Sequence, residues 1–434
     1  MDTAVAEDVE RLRDLWVAIW DGADPETAPD LPACPPAVQA RHEAELRAFV
    51  DVLEDEARRT ARVDLPGADA ERRVLAAFAA FASRTLGWRD CFTGDLPEAF
   101  REALRSFPAH ARGFDPSLPA ADIYQAARNA LTMHCLQSLL GVPVLSTPAV
   151  LAYSLLYPYT DNLLDDPRLD AASKRAFGRR LGDRLRGHPV AAATDREARI
   201  FALVDMIEGQ FPRARHPRVF GSLLAIHDAQ VRSLALLAGP RPPRPRTLVE
   251  VAVEKGGTSV LADGYLVANS LTAPQAECLF GLGVFLQLRD DLEDVRDDRA
   301  AGLATVFSAD PALRLDDPTG RALAVGAAVL ARLSCFDAPE AAPVRDIMVR
   351  SLPLTIADAA ASFPALYGAR YLRALERRSP FRFACLAAER RRLSRANGSL
   401  TGLLERFIGA PAASPASRAP AGLPGLGRAA HGAA

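Results

Sequence analysis

The stretch Leu286–Asp298, LQLRDDLEDVRDD, decides how this chain is read. At about 100° per residue, Phe285, Leu288, Leu292 and Val295 fall on one stripe of a helix. Gln287, Asp291, Asp294 and Asp298 fall on another, roughly opposite, with Asp290 beside it. Like charges at this spacing cost a helix roughly 0.2–0.5 kcal/mol per pair. The acidic stripe therefore needs an offset: solvent, the neighbouring Arg289, Arg296 and Arg299, or bound cations. A solvated surface helix and a cation site are the two readings open at this point.

A second acidic stretch narrows the choice. In YTDNLLDDP, Tyr159–Pro167, Asp161 and Asp165 stand four apart and share a helix face, with Asp166 beside them. These acids close a run, Asn129 to Thr160, that contains no Asp, Glu, Lys or Arg and is longer than the roughly 20 residues of a membrane span. Pro143, Pro148 and Pro158 cut that run, and Gln137, Ser138, Ser146, Thr147 and Ser154 punctuate it, so buried core helices are expected in place of a span. Oxygen-only carboxylate clusters select hard cations such as Mg²⁺, which commonly bridges carboxylate to phosphate. Two clusters on separate helices, facing each other across a bundle, would hold a diphosphate between them and an apolar tail in the interior.

Composition sets the frame. The 434 residues are 49% hydrophobic, enough for a sizeable core, and a net charge of −2 gives no basic field for nucleic acid. Six cysteines show neither CxxC nor zinc spacing, which suits a reducing compartment. The acidic, amphipathic start MDTAVAEDVERLRDLW lacks the basic, then apolar, order of a secretory signal, so a cytoplasmic protein is expected. Helical periodicity covers Val9–Trp20, Ala37–Arg62 and Glu71–Leu86, and then long helices run from Ala121 to Phe407 with breaks at 187–189, 239–245 and 310–320. No strand pattern or fixed-period repeat appears. The expectation is an all-α chain with an N-terminal helical region and Pro-rich linker (1–120), a catalytic bundle (121–408) and a disordered Ala/Pro/Gly-rich tail (409–434).

FLQLRDDLEDVRDDRAAG resembles the second Asp-rich region of trans-polyprenyl diphosphate synthases. YTDNLLDD, with GGTSVLAD ahead of the second motif, is similar to the large bacterial terpene synthases of the tetraprenyl-curcumene type. The resemblance spans roughly Tyr124 to Phe307. It implies a class I isoprenoid synthase bundle around a central apolar cavity, and a Mg²⁺-dependent enzyme that ionises a prenyl diphosphate. Carried over by position, Asp161, Asp165, Asp166, Asp290, Asp291 and Asp294 would be metal ligands, with Asp161, Asp165, Asp290 and Asp294 central to catalysis. Lys255, Thr258, Ser259 and Gln287 would meet the diphosphate, as would the Arg370-Tyr371 pair. Tyr157 and Phe285, with Tyr153 and Tyr265, would wall the cavity and stabilise a carbocation through their π faces. Gly256 and Gly257 are read as close-packing residues. His134 and His227 are given no role.

The first motif is not DDxxD, and no GGKR-like segment stands where a chain-elongating synthase binds its second substrate. A terpene synthase is therefore the leading expectation. Chain-elongating or head-to-head prenyl transfer, an all-α Mg²⁺ phosphohydrolase, and a non-enzymatic helical protein are the alternatives. The expected partner is a prenyl diphosphate, without nucleic acid or membrane span, and a homodimer is admitted.

Overall fold

Helical periodicity carries over into the computed structural model, which describes residues 3–24, 33–62, 67–88, 96–164, 166, 168–237, 243–310, 312 and 314–408. Among them every regular element is a helix or helical turn, and there is no strand. The N-terminal expectations hold as α1 (Thr3–Gly22), α2 (Pro36–Arg62) and α3 (Gly67–Phe81), the last running into a π-turn at Ala82–Leu86. Then follow α4 (Leu96–Phe114), α5 (Ala120–Leu139), α6 (Pro148–Leu164), α7 (Ala171–Leu185), α8 (Asp195–Gln210) and α9 (Pro217–Leu237). The tail expected from 409 onward and residues 25–32 of the Pro-rich linker lie outside the described residues.

The uncharged run is divided, as its prolines suggest, between the end of α5 and α6. Pro148 opens α6, but Pro158 sits inside it and does not end it. Thr160 Oγ1 donates to the carbonyls of Leu156 (2.8 Å) and Tyr157 (3.1 Å) at that point. No helix is long and apolar enough to cross a membrane among the described residues.

The centre of the molecule is an antiparallel hairpin of α10 (Pro245–Ala268) and α11 (Ala273–Glu293). Asn269, at φ 65°, ends the first helix in the left-handed conformation. Thr272 and Gln275 then close a capping box that starts the second, the Thr272 N–H donating to Gln275 Oε1 at 2.9 Å. The two axes approach closely because glycines face each other: a Cβ on Gly256 would overlap the Gly283 carbonyl, and one on Gly257 the Phe280 ring. The packing role read for Gly256 and Gly257 is thus what the structure shows.

The rest of the bundle surrounds this hairpin: α12 (Val295–Ala301), α13 (Asp316–Leu330), the 3-10 turn Leu333–Cys335 and α14 (Ala341–Ser362) on the α11 side, with α5, α6 and α9 on the α10 side. A boundary at residue 120 does not separate the N-terminus from this core. Trp16 of α1 is fully buried, fills the space left by Gly281, and donates its indole N–H to the Glu277 carbonyl (3.3 Å). Outside the bundle, α2 and α3 pack with α16 (Phe383–Arg395) and α17 (Asn397–Ile408). There the buried Glu43 takes a bidentate ion pair from Arg382.

Candidate active site

The two acidic motifs occupy the same end of the bundle, which follows from four contacts. The Ser138 hydroxyl, at the C-terminal end of α5, donates to the Glu340 carbonyl where α14 begins (2.5 Å). At that same end α11 begins, with Cys278 Sγ against the Val329 carbonyl (3.8 Å) just ahead of the turn that feeds α14. Helices α11 and α14 run on side by side, and near their far ends Glu293 lies in the fields of Asp358 and Arg128. That far end is the N-terminal end of α5, where Asp122 accepts from Asn162 Nδ2 (3.0 Å). Asn162 is the neighbour of Asp161.

The acidic stripe of α11 continues the face that packs on α10. Phe280, Gly283 and Gln287 lie against the glycine pair, and one to three turns further along this face come Asp290, Asp291, Asp294 and, across the break into α12, Asp298. The apolar stripe is buried as read: Phe285, Leu288, Leu292 and Val295 are all 0% exposed. The acids are not a solvated face. Asp290 is 1% exposed, Asp291 6% and Asp298 2%. Both carboxylate oxygens of Asp290 are buried without a hydrogen-bond partner.

This burial dominates the electrostatics. It pushes the Asp290 carboxyl well above the ordinary range, with Asp294 and Asp291 adding repulsion and Lys255 and Arg289 opposing it. Asp291 is pushed up to about 6 by burial, against the pull of Lys255 and a 2.7 Å hydrogen bond from Gln287 Nε2. Asp298 rises to about 7, first from burial and then from Asp291 and Asp294. Lys255, 8% exposed on α10, is the cation facing all three. Of the 52 Lys and Arg residues only Lys174 and Lys255 are lysine, and among the described residues Lys255 is the one cationic side chain of either kind that is buried.

The first motif is less committed to the interior. Asp161 is half-buried near the end of α6, and Asp165 lies outside the described residues. Asp166 is held well below the usual carboxylate range by Arg168, whose Nε and Nη2 donate to it at 2.9 and 2.7 Å. It is thereby paired within the chain. Arg196 of α8 donates to the Asn162 carbonyl (3.1 Å) and flanks this end.

The remaining candidates separate into those near the acids and those in the packing. Thr258 is fully buried and donates its hydroxyl to the Glu254 carbonyl (2.7 Å), so it has no free proton for a ligand, whereas Ser259 is half-buried. Phe285 turns toward α13, where a Cβ on Gly326 would meet its ring at 2.7 Å; it is core packing and not a wall facing the acids. Tyr157 is buried in α6, and the Tyr265 hydroxyl accepts from Arg218 (3.4 Å). Arg370 and Tyr371 lie on α15 (Ala369–Glu376). Arg370 is exposed, while Tyr371 stacks on Tyr367 (5.9 Å between centroids) in the field of Asp316 and Asp317 at the first turn of α13.

Sequence reasoning missed Asp263. It sits on α10 two turns past Lys255, 1% exposed, with Oδ1 unpartnered and Asn129 as a hydrogen-bond partner. Tyr153, two turns before Asp161 on α6, is beside it with an unpartnered hydroxyl. Burial pushes both groups well above their ordinary values. The signal was present: Asp263 is the only charged residue between Lys255 and Glu277.

Buried acceptor-only oxygens that repel one another are the donor set of a hard cation. Asp290 and Asp291, buried, and Asp294, half-buried, supply oxygen donors of that kind. Among the described residues no group of three acid, histidine or cysteine side chains is placed to hold a metal ion. A depression of ≈440 Å³ lies elsewhere, at the α7–α8 connection between Arg184 and Ala191. No family model and no curated protein matches this chain.

Proposed function

We propose that this protein is a Mg²⁺-dependent class I terpene synthase that binds a prenyl diphosphate at the acid-bearing end of the bundle and ionises it. The observation that carries this reading is the buried second cluster: Asp290 with two orphan oxygens, Asp291 and Asp298 raised by burial, and Lys255 facing them. Like-charged buried carboxylates are destabilising until a cation offsets them. Their position opposite a buried lysine suits a diphosphate and its cation.

Asp290, Asp291, Asp294, Asp161 and Asp165 would hold the metal, which when bound neutralises the charge of the departing diphosphate. Lys255 adds a positive charge from inside the protein, where low dielectric strengthens it. Gln287 orients Asp291 through its 2.7 Å hydrogen bond. The buried apolar lengths of α5, α6 and α10 would keep water, which quenches a carbocation, from a prenyl tail held among them. Tyr153 and Tyr157 offer aromatic faces on that side.

Incubating the full chain with C10 to C25 prenyl diphosphates and Mg²⁺, with products read by gas chromatography and mass spectrometry, tests the reading. A hydrocarbon or terpene alcohol from a single diphosphate supports it. A longer diphosphate formed only with isopentenyl diphosphate replaces it with chain elongation, and phosphate release from nucleotides alone replaces it with a phosphohydrolase.

A further inference from the structure

We propose that Asp115 is a positioning residue for the first acidic motif: through Tyr159 it sets the rotation of the last turn of α6, the turn that carries Asp161. The proposal rests on the function proposed above. Pro158 interrupts α6 just ahead of that turn, because it has no N–H to give the Ser154 carbonyl and its ring crowds the same oxygen. Thr160 then turns its hydroxyl back onto the carbonyls of Leu156 and Tyr157, a kind of bond that loosens a helix locally. The backbone ladder thus loses a rung between the body of α6 and its last turn, and side chains tie that turn to other elements. The Tyr159 hydroxyl donates to Asp115 Oδ2 (2.5 Å) in the connection between α4 and α5. Asn162 Nδ2 donates to Asp122 Oδ2 of α5 (3.0 Å), and Arg196 of α8 donates to the Asn162 carbonyl (3.1 Å).

Asp115 is the fixed end of this arrangement. It is 4% exposed and held on both oxygens: Oδ1 accepts from the Ser117 N–H (2.9 Å) and hydroxyl (2.6 Å), and Oδ2 takes Tyr159 and an ion pair with Arg199 Nη1 of α8 (3.0 Å). The buried Tyr159 ring meets Phe114 edge to face at 6.1 Å, so ring and hydroxyl are fixed together. At about 100° per residue, Asn162 lies about 60° from Tyr159 around the helix, whereas Asp161 lies about 160° from it. The two tied side chains share one side of the turn, and Asp161 stands nearly opposite Tyr159. Satisfying Asp115 and Asp122 therefore fixes the direction in which Asp161 is offered to a cation.

Tyr159→Phe removes the tie and keeps the ring. Loss of a hydrogen bond to a charged group shifts a coupled equilibrium by about tenfold. Calorimetric titration of the full chain should therefore show the Mg²⁺ concentration that half-saturates inorganic pyrophosphate binding rising by about tenfold, with the affinity recovered at saturating Mg²⁺. Val9→Ala, at a buried position near the start of α1, should lower the unfolding midpoint and leave the Mg²⁺ requirement at the wild-type value. Wild-type protein that binds pyrophosphate without Mg²⁺, or not at all, overturns the diphosphate reading and this proposal with it. Where the wild type does need Mg²⁺, the proposal alone is overturned by an unchanged requirement in Tyr159→Phe, by a loss that saturating Mg²⁺ does not recover, or by an equal rise in Val9→Ala. If Tyr159→Phe fails to fold, Asn162→Ala, which cuts the tie to Asp122, decides in its place by the same criteria.

Discussion

Replacing Asp291 by asparagine removes a charge from the interior while keeping the shape of the side chain and an acceptor for Gln287. The carboxyl is pushed up to about 6 in the fold, against ~3.9 in an unfolded chain. A raised value means the protonated acid is favoured by folding. Stability is therefore full below pH ~4 and declines as pH rises through about 6. Above that the ionised, buried Asp291 costs roughly two pKa units, on the order of 3 kcal/mol. At ~2.1 cal/mol/K per residue, 434 residues unfold with about 0.9 kcal/mol/K, so Asp291→Asn should raise the thermal midpoint by about 3 °C at pH 8 without divalent cation. Loss of this charge also relieves Asp298, which acts in the same direction. Calorimetry of both proteins from pH 4 to 8 should show the gap opening between pH 4 and 6, and millimolar Mg²⁺ should narrow it by stabilising the wild type. A variant less stable than wild type at pH 8, or a gap independent of pH, would refute the claim that these acids are buried charges awaiting a cation.

Four further outcomes follow from packing and burial. Trp16→Ala should cost about 3–5 kcal/mol in chemical unfolding, because Trp16 is a core residue of the main bundle and not part of a detachable N-terminal region. Gly283→Ala should lose at least about 1–3 kcal/mol through overlap with the Gly256 carbonyl, while Gly209→Ala, with nothing within 4 Å of its new methyl, should gain about 0.5–1 kcal/mol. Asp263→Asn should keep the fold and raise the midpoint above neutral pH, since burial already favours the uncharged acid; a lower midpoint there would mean the ionised form is the structural one.

The helical class was legible from the period, and Pro148 opens α6 as its position suggests, whereas the turn between α10 and α11, marked by Asn269 and by Thr272 with Gln275, was not among the breaks read. Pro158 was misread because it removes one N–H from a long, buried helix, which α6 carries without ending there. The place of α1 was not legible, since Trp16 meets Gly281 across 265 residues and a glycine in sequence does not name its partner. At the site, periodicity put Asp291, Asp294 and Asp298 on one face but could not distinguish solvated acids from buried ones. Only the continuation of that face onto Gly256 and Gly257 decides it. Arg168, which neutralises Asp166 two residues away, was in plain view beside the first motif.

Inorganic pyrophosphate binding, followed by calorimetric titration with and without Mg²⁺, tests the central claim that both acidic motifs serve one diphosphate site. The account predicts binding that requires Mg²⁺ and is lost on either Asp161→Asn or Asp290→Asn, with each variant still folded by circular dichroism. Binding that survives without Mg²⁺, or that either substitution leaves intact, would contradict it.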